Sequence, residues 1–348
     1  MAKTVKRVNL ALQGGGSHGA FTWGVLDKLL EDGRVEFEAI SGTSAGAMNA
    51  VVCADGLMKD GNQGARDALE HFWHEVSVAA QSSPLQRMPF DVLMGNWDLS
   101  NSPGYHYFDG LTRAMSPYQM NPMNINPLRD LVERVVDFES VRNCNRTKVL
   151  ISATNVETGK VKVFDPHLLT ADMVMASACL PMVFQAVEIE GTPYWDGGYM
   201  GNPSLFPFHT QTGCSDILII QINPIVREGA PKTAQEIMDR IDEISFNASL
   251  LKELRAIEFV SRLIHDGKLS SDDYRDTRVH IVENEEALKP LGASSKMNAE
   301  WAFLTHLRDL GRETAAVWLA KNFASIGKKS TVDLTEVFAG TGPHIAQR

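Results

Sequence analysis

Three short segments of the chain hold side chains and glycines arranged for chemistry. The first is Gly14-Gly15-Gly16-Ser17-His18-Gly19. A run of glycines can point successive backbone N–H groups into one concavity and hold an anion there. The second is Gly42-Thr43-Ser44-Ala45-Gly46, a GxSxG turn whose glycines leave room for a sharp bend that lifts a serine hydroxyl clear of the chain. The third is Trp195-Asp196-Gly197-Gly198-Tyr199, a carboxylate followed by two residues small enough for close backbone approach. A serine nucleophile, a carboxylate to take its proton and a nest of amides for an oxyanion are the parts of acyl transfer. Singly, each segment is ambiguous. GxSxG recurs by chance, Asp-Gly is a common turn, and Gly14, Gly16 and Gly19 also satisfy GxGxxG, the dinucleotide-binding pattern.

The elements around the first two segments must bring them to one edge of one sheet. Residues 8–13 (VNLALQ) read as a short buried strand ending at the glycines. Across 18–30, Phe21, Val25, Leu26, Leu29 and Leu30 fall at helical spacing. Residues 35–40 are a second strand that runs straight into the serine turn, and 45–57 are small and apolar, as suits a helix packed on a sheet. Strand, glycine turn, helix, strand, serine turn, helix is the opening of an α/β fold with a mostly parallel sheet. The helix dipole at the serine favours developing negative charge. This layout argues against a nucleotide site. Dinucleotide binding wants an acidic residue at the end of strand two, whereas that end is the serine turn, and Glu36 and Glu38 lie inside the strand.

Residues 80–127 break the pattern. They are rich in proline, methionine and aromatics, among them Trp97, Tyr105, Tyr107, Phe108 and Tyr118, and show no period. Two readings stand. One is a surface excursion of short helices; the other is a lid or lipid-contacting surface, because long irregular loops often bind and methionine adapts to greasy ligands. Strand patterns return at 149–156 and 161–164, around the turn Glu157-Thr158-Gly159-Lys160, and again at 217–222 and 279–282. Across 234–264, Ile237, Ile241, Ile244, Leu251, Leu254 and Ile257 recur at three- and four-residue steps, which predicts a long amphipathic helix covering the sheet, with a partner-binding or membrane role as the other reading. A further helix is expected over 301–323, then a loosely ordered tail after Lys328.

Taken together and in this order, the three segments resemble the patatin-like phospholipase family. The resemblance takes in Ala176-Ser177-Ala178-Cys179-Leu180-Pro181-Met182-Val183-Phe184 and the strand and hairpin Ala153-Thr154-Asn155-Val156-Glu157-Thr158-Gly159, and it spans residues 8–208. It implies a three-layer α/β/α sandwich with a mostly parallel central sheet. Residues 8–208 would form the catalytic domain, carrying 80–127 as an insertion, and 209–348 a mainly helical part that completes and covers the sheet. It further implies a Ser–Asp dyad without histidine. Ser44 would attack an ester carbonyl, Asp196 would take its proton, and the amides of Gly14, Gly15 and Gly16 would hold the oxyanion. Gly19, Gly42, Gly46, Gly197 and Gly198 would make room around them. The implied substrate is a lipid acyl ester such as a phospholipid, with no cofactor and no metal.

Several points stay open beside that resemblance. The family's turn carries Arg or Lys where this chain has His18. A histidine adds positive field only when protonated, and its unperturbed pKa of ~6.5 makes that depend on pH; His18 as a general base is a further reading. An unperturbed aspartate, with a pKa of ~3.9, is a poor base for a hydroxyl. The dyad therefore needs burial to raise Asp196 or a strong oxyanion site. A Ser–Asp–His triad survives as an alternative because His209 follows Asp196, although the α/β-hydrolase fold places several strands before its serine. A short-chain or polyhydroxyalkanoate ester is the alternative substrate. A non-catalytic lipid-binding protein on the same fold is the alternative of another class.

The whole chain bounds the rest. A formal charge of −10 is the wrong sign for nucleic acid and for electrostatic attachment to an anionic bilayer. A neutral lipid surface is compatible with it. Cys53, Cys144, Cys179 and Cys214 lack CxxC pairing and metal-ligand spacing and read as inert thiols in a reducing compartment. No acidic cluster has calcium-ligand spacing. The N-terminal apolar run is too short for a signal peptide, and no stretch reaches the ~18 apolar residues of a membrane span. A cytoplasmic protein is expected, with any membrane contact peripheral and the oligomeric state left open.

Overall fold

The computed structural model describes residues 4–270 and 272–339. The chain begins with β1 (Lys6–Leu12), α1 (Gly19–Asp32), β2 (Val35–Gly42) and α2 (Ala45–Ala80). Short helices follow: α3 (Pro89–Leu93), α4 (Pro103–Ala114), α5 (Pro117–Met120), α6 (Pro127–Val135) and α7 (Phe138–Arg142). Next come β3 (Lys148–Asn155), β4 (Val161–Val163), α8 (Ala171–Ser177), β5 (Val187–Ile189), β6 (Thr192–Asp196), α9 (Phe206–Gln211) and β7 (Asp216–Ile220). The last elements are α10 (Ala234–His265), β8 (Arg278–Val282), α11 (Glu285–Leu288), α12 (Trp301–Asn322) and α13 (Leu334–Ala339).

The strands form one eight-stranded sheet in the order β5-β6-β3-β2-β1-β7-β8, with β4 also paired to β3. From β3 through β2, β1 and β7 to β8 the neighbours are parallel; the pairs among β3, β4, β5 and β6 are antiparallel. A parallel sheet is covered on both faces, so its strands read as near-continuous apolar runs. On β1, Val8, Leu10 and Leu12 join a core built with α1, α2 and α12. Ala11 faces the other way, into a second core with Phe208 of α9, Leu250, Leu254 and Ile257 of α10, and Leu334 of α13. The central sheet is thus flanked by helices on both faces, in an α/β/α arrangement.

Three expectations change. The helix after the serine turn runs on to Ala80, broken at Asp60 and Gly61 where the backbone leaves helical geometry. Within 80–127 the chain is helical in short pieces, as one of the two readings expected, and Pro89, Pro103 and Pro117 each stand at a helix start. Proline fits there because its missing N–H would be unpaired anyway and its φ is preset. The second change is on α10. Leu254 and Ile257 are buried, but Ile237, Ile241 and Ile244, expected on the same covered face, are 42%, 50% and 54% exposed. The tail is also more regular than expected as far as 339: the Thr331 amide donates to the Val279 carbonyl at 3.1 Å, and α13 follows. Residues 340–348 lie outside the described residues. No helix among the described residues is long and apolar enough to cross a membrane.

Candidate active site

β2 ends at Gly42 and α2 begins at Ala45, so the chain reverses within two residues. Ser44 carries the reversal at φ 54° and ψ −122°, a conformation costing a non-glycine residue on the order of 1–3 kcal/mol. Small neighbours make it feasible: a Cβ on Gly46 would come within 2.9 Å of the Gln13 carbonyl oxygen. Polar contacts then hold the bend. The Ser44 amide donates to Ser177 Oγ at 3.0 Å, and Thr43 Oγ1 donates to the Gly201 carbonyl at 2.6 Å. A strained serine between strand and helix is what presents a hydroxyl as a nucleophile.

Asp196 closes β6, opposite Ala153 of β3. Its main chain is pinned on both sides: the amide donates to the Cys179 carbonyl at 2.8 Å and Thr154 Oγ1 donates to its carbonyl at 2.8 Å. In the side chain, Oδ1 accepts the Gly198 amide at 2.7 Å. Oδ2 is buried with no hydrogen-bond partner among the described residues, and the Ser44 side chain is near enough to favour the ionised carboxyl. Burial dominates, pushing the Asp196 pKa up to about 7 against the smaller stabilising effects of Gly198 and Ser44. The carboxyl therefore has a proton affinity that a free aspartate lacks.

The glycine turn lies directly against the serine: a Cβ on Gly14 would come within 2.8 Å of Ser44 Cβ. Of the three amides expected to face an oxyanion, that of Gly14 is taken, donating to Asn202 Oδ1 at 2.7 Å. Among the described residues, nothing accepts from the amides of Gly15 and Gly16. The donors left for an anion are therefore Gly15 and Gly16. Gly19 packs at Ala45, and Gly197 and Gly198 open the turn after Asp196.

His18 is buried, with Nε2 2.7 Å from Ser295 Oγ and its ring edge-on to Phe303. Burial, then the charges of Lys296 and Arg227, push its pKa down to about 3. It is neutral at physiological pH, so the positive field expected of a protonated His18 is absent there. His209 sits in α9 and lines a cavity of about 740 Å³ with Phe206, Glu253 and Arg275; neither Ser44 nor Asp196 lines that cavity. Glu38 accepts the amides of Gly213 and Cys214 at 2.7 and 2.9 Å, a structural use that leaves it no ribose to bind. The four cysteines are free thiols.

Around the site the surface is greasy. Leu180 and Met182, just after Ser177, and Tyr199 and Met200, just after Gly198, are exposed. Tyr199 packs on Phe246 of α10 with ring centroids 5.3 Å apart. Asn202, Asn223 and Lys296 escaped the sequence reading. They are isolated polar residues in connecting segments, and no local pattern distinguishes them from surface residues.

The patatin-like phospholipase family model matches residues 10–209. A comparison with curated proteins finds no match. Among solved structures, VipD from Legionella pneumophila is 14% identical with a TM-score of 0.40, the alignment covering 91% of this chain and 67% of that one. ExoU, in the heterodimeric ExoU–SpcU complex from the type III secretion system of Pseudomonas aeruginosa, is 16% identical with a TM-score of 0.37, covering 92% of this chain. The alignment spans 53% of the ExoU chain, about half its length. The family match runs through more than half of this chain and through both turns that meet at Ser44, and the chain belongs to the patatin-like phospholipase family of lipid acyl hydrolases.

Proposed function

We propose that the protein is a serine hydrolase that cleaves acyl ester bonds of lipids through a Ser44–Asp196 dyad. The observation that carries this reading is the buried Asp196 carboxyl beside a strained serine, with its pKa raised to about 7. A base works best when its pKa lies near the operating pH. Ionised Asp196 takes the Ser44 proton as Oγ attacks the ester carbonyl. The negative charge moves to the carbonyl oxygen, which the Gly15 and Gly16 amides stabilise, each such donor contributing about 3 kcal/mol. Collapse breaks the ester bond, and the proton on Asp196 leaves with the alcohol. Water then attacks the acyl-serine with Asp196 again as base, releasing a fatty acid and restoring Ser44.

Lipid is favoured over a short soluble ester by the exposed apolar residues on both sides of the site and along α10. In this reading residues 8–208 hold the catalytic parts, and the segment from 209 onward adds β7, β8 and the helices over them. The protein works without cofactor or metal in the cytoplasm, meeting membranes peripherally. The test is labelling with a fluorophosphonate together with turnover of p-nitrophenyl butyrate and phosphatidylcholine. Ser44→Ala is expected to abolish labelling and lower turnover by ~10³-fold or more. Equal labelling of the variant and the wild type would leave a lipid-binding protein without this chemistry. Turnover confined to short soluble esters would assign the alternative substrate class.

A further inference from the structure

Residues outside the family match close on the glycine turn. Gly16, at φ 57°, lies against the backbone of Lys296, where a Cβ would run into the Lys296 carbonyl oxygen. One residue earlier, Ser295 meets His18 at 2.7 Å. The Lys296 side chain then turns back towards the turn: Nζ donates to Asn223 Oδ1 at 2.8 Å. Asn223 Nδ2 in turn donates to the Gly14 carbonyl at 2.7 Å and to Gln13 Oε1 at 3.2 Å. The Gly14 carbonyl and the Gly15 N–H belong to one peptide group. Drawing electron density towards that carbonyl oxygen leaves the N–H more positive, because hydrogen bonds in a chain polarise one another. A cation at the head of such a chain strengthens every bond along it.

We propose that Lys296 is a positioning residue of the oxyanion site, delivering its charge through Asn223 to the Gly14–Gly15 peptide. The proposal rests on the serine-hydrolase reading of Ser44. The groups facing Lys296 are Asp239, Asp242 and Glu243 of α10, together with Arg227 and His18. The three carboxylates favour its charged form, while burial and Arg227 oppose it and bring its pKa below the ordinary lysine value. Its charge is therefore lost at the alkaline end of the pH profile.

The experiment compares kcat and KM of the full chain for p-nitrophenyl butyrate from pH 6 to 11 in the wild type, Lys296→Met, Lys296→Arg and Asn223→Asp. Thermal unfolding and fluorophosphonate site counts serve as folding controls. Lys296→Met is expected to lower kcat by about 10- to 100-fold, somewhat less than loss of an oxyanion donor itself, with KM within about twofold and the alkaline fall of the wild type removed. Lys296→Arg is expected to recover most of the loss. Asn223→Asp keeps the shape and removes the Nδ2 donor to Gly14, and it is expected to lose as much as Lys296→Met. A folded Lys296→Met with kcat within twofold of the wild type would overturn the proposal. So would a loss that Lys296→Arg shares in full while the alkaline fall persists, since that is the signature of packing. If Lys296→Met does not fold, Asn223→Asp decides by the same limits. A wild type whose turnover is independent of Ser44 would overturn the hydrolase reading and this proposal with it, a result distinct from either of the others.

Discussion

Burial holds the Asp196 carboxyl near pKa 7, and two pH dependences follow with opposite preferences. On the proposed mechanism Asp196 acts as the base and must be ionised. kcat/KM is therefore expected to rise about tenfold per unit up to pH ~7 and then level until the alkaline fall that accompanies loss of the Lys296 charge. A pH–rate profile checks this, and an acid limb centred near pH 4 would show a carboxyl in contact with water. Stability runs the other way. Between the unfolded pKa of ~3.9 and the folded value, the native state keeps a proton that the unfolded chain has released. The contribution is complete below pH ~4 and is lost as pH rises through ~7. Asp196→Asn, which does not titrate, is expected to match the wild type at pH 4 and exceed it by on the order of 4 kcal/mol at pH 8. Urea unfolding at the two pH values checks it, and a gain equal at both would place the effect elsewhere. At this scale Ser44 was legible because its turn must be built from small residues at fixed spacing. Asp196 was legible only in company with the other two segments. Asn202 and Asn223 were not, because each meets the glycine turn from far along the chain.

Helices and strands decide which glycines are free to change. Gly46 lies where α2 leaves the serine turn, and a side chain there would press on the backbone of Leu12 and Gln13 in the neighbouring strand and turn. Gly46→Ala is expected to destabilise by about 1–3 kcal/mol, in the range of overpacking. Gly110 lies in α4, where an added Cβ would meet nothing within 4 Å. Gly110→Ala is expected to stabilise by about 0.5–1 kcal/mol through helix propensity. Chemical denaturation of the two variants beside the wild type distinguishes them, and equal effects would mean that neither contact governs stability. The parallel strands were legible because burial on both faces writes long apolar runs into them. Short helices within 80–127 were one of two readings, but their bounds were not legible, because each is only a turn or a few turns long and begins at a proline, which in sequence reads equally as a loop signal. Periodicity on α10 gave the helix correctly and its covered face only in part, since spacing alone does not say where the sheet beneath it ends.

For the whole molecule, net charge and apolar surface point to different modes of attachment. A formal charge of −10 repels an anionic bilayer, while Ile237, Ile241 and Ile244 expose an apolar stripe on α10 at spacings of four and three residues. Phe246 and Ser249, further along the same helix, touch Tyr199 and Asn202 at the site. Moving the exposed part of each isoleucine into lipid is worth about 1 kcal/mol, and three together about 3 kcal/mol, or roughly 100-fold in partitioning. Ile237→Ser/Ile241→Ser/Ile244→Ser is therefore expected to lower hydrolysis of phosphatidylcholine vesicles by about 10- to 100-fold. Hydrolysis of soluble p-nitrophenyl butyrate should stay within about twofold, because the stripe lies outside the reacting groups. Replacing half of the phosphatidylcholine with phosphatidylserine should weaken vesicle binding at low ionic strength, and added salt should restore it as the repulsion is screened. Cosedimentation and the two turnover assays read all of this. An equal loss on both substrates would mean that the stripe supports the fold of α10 and does not meet lipid.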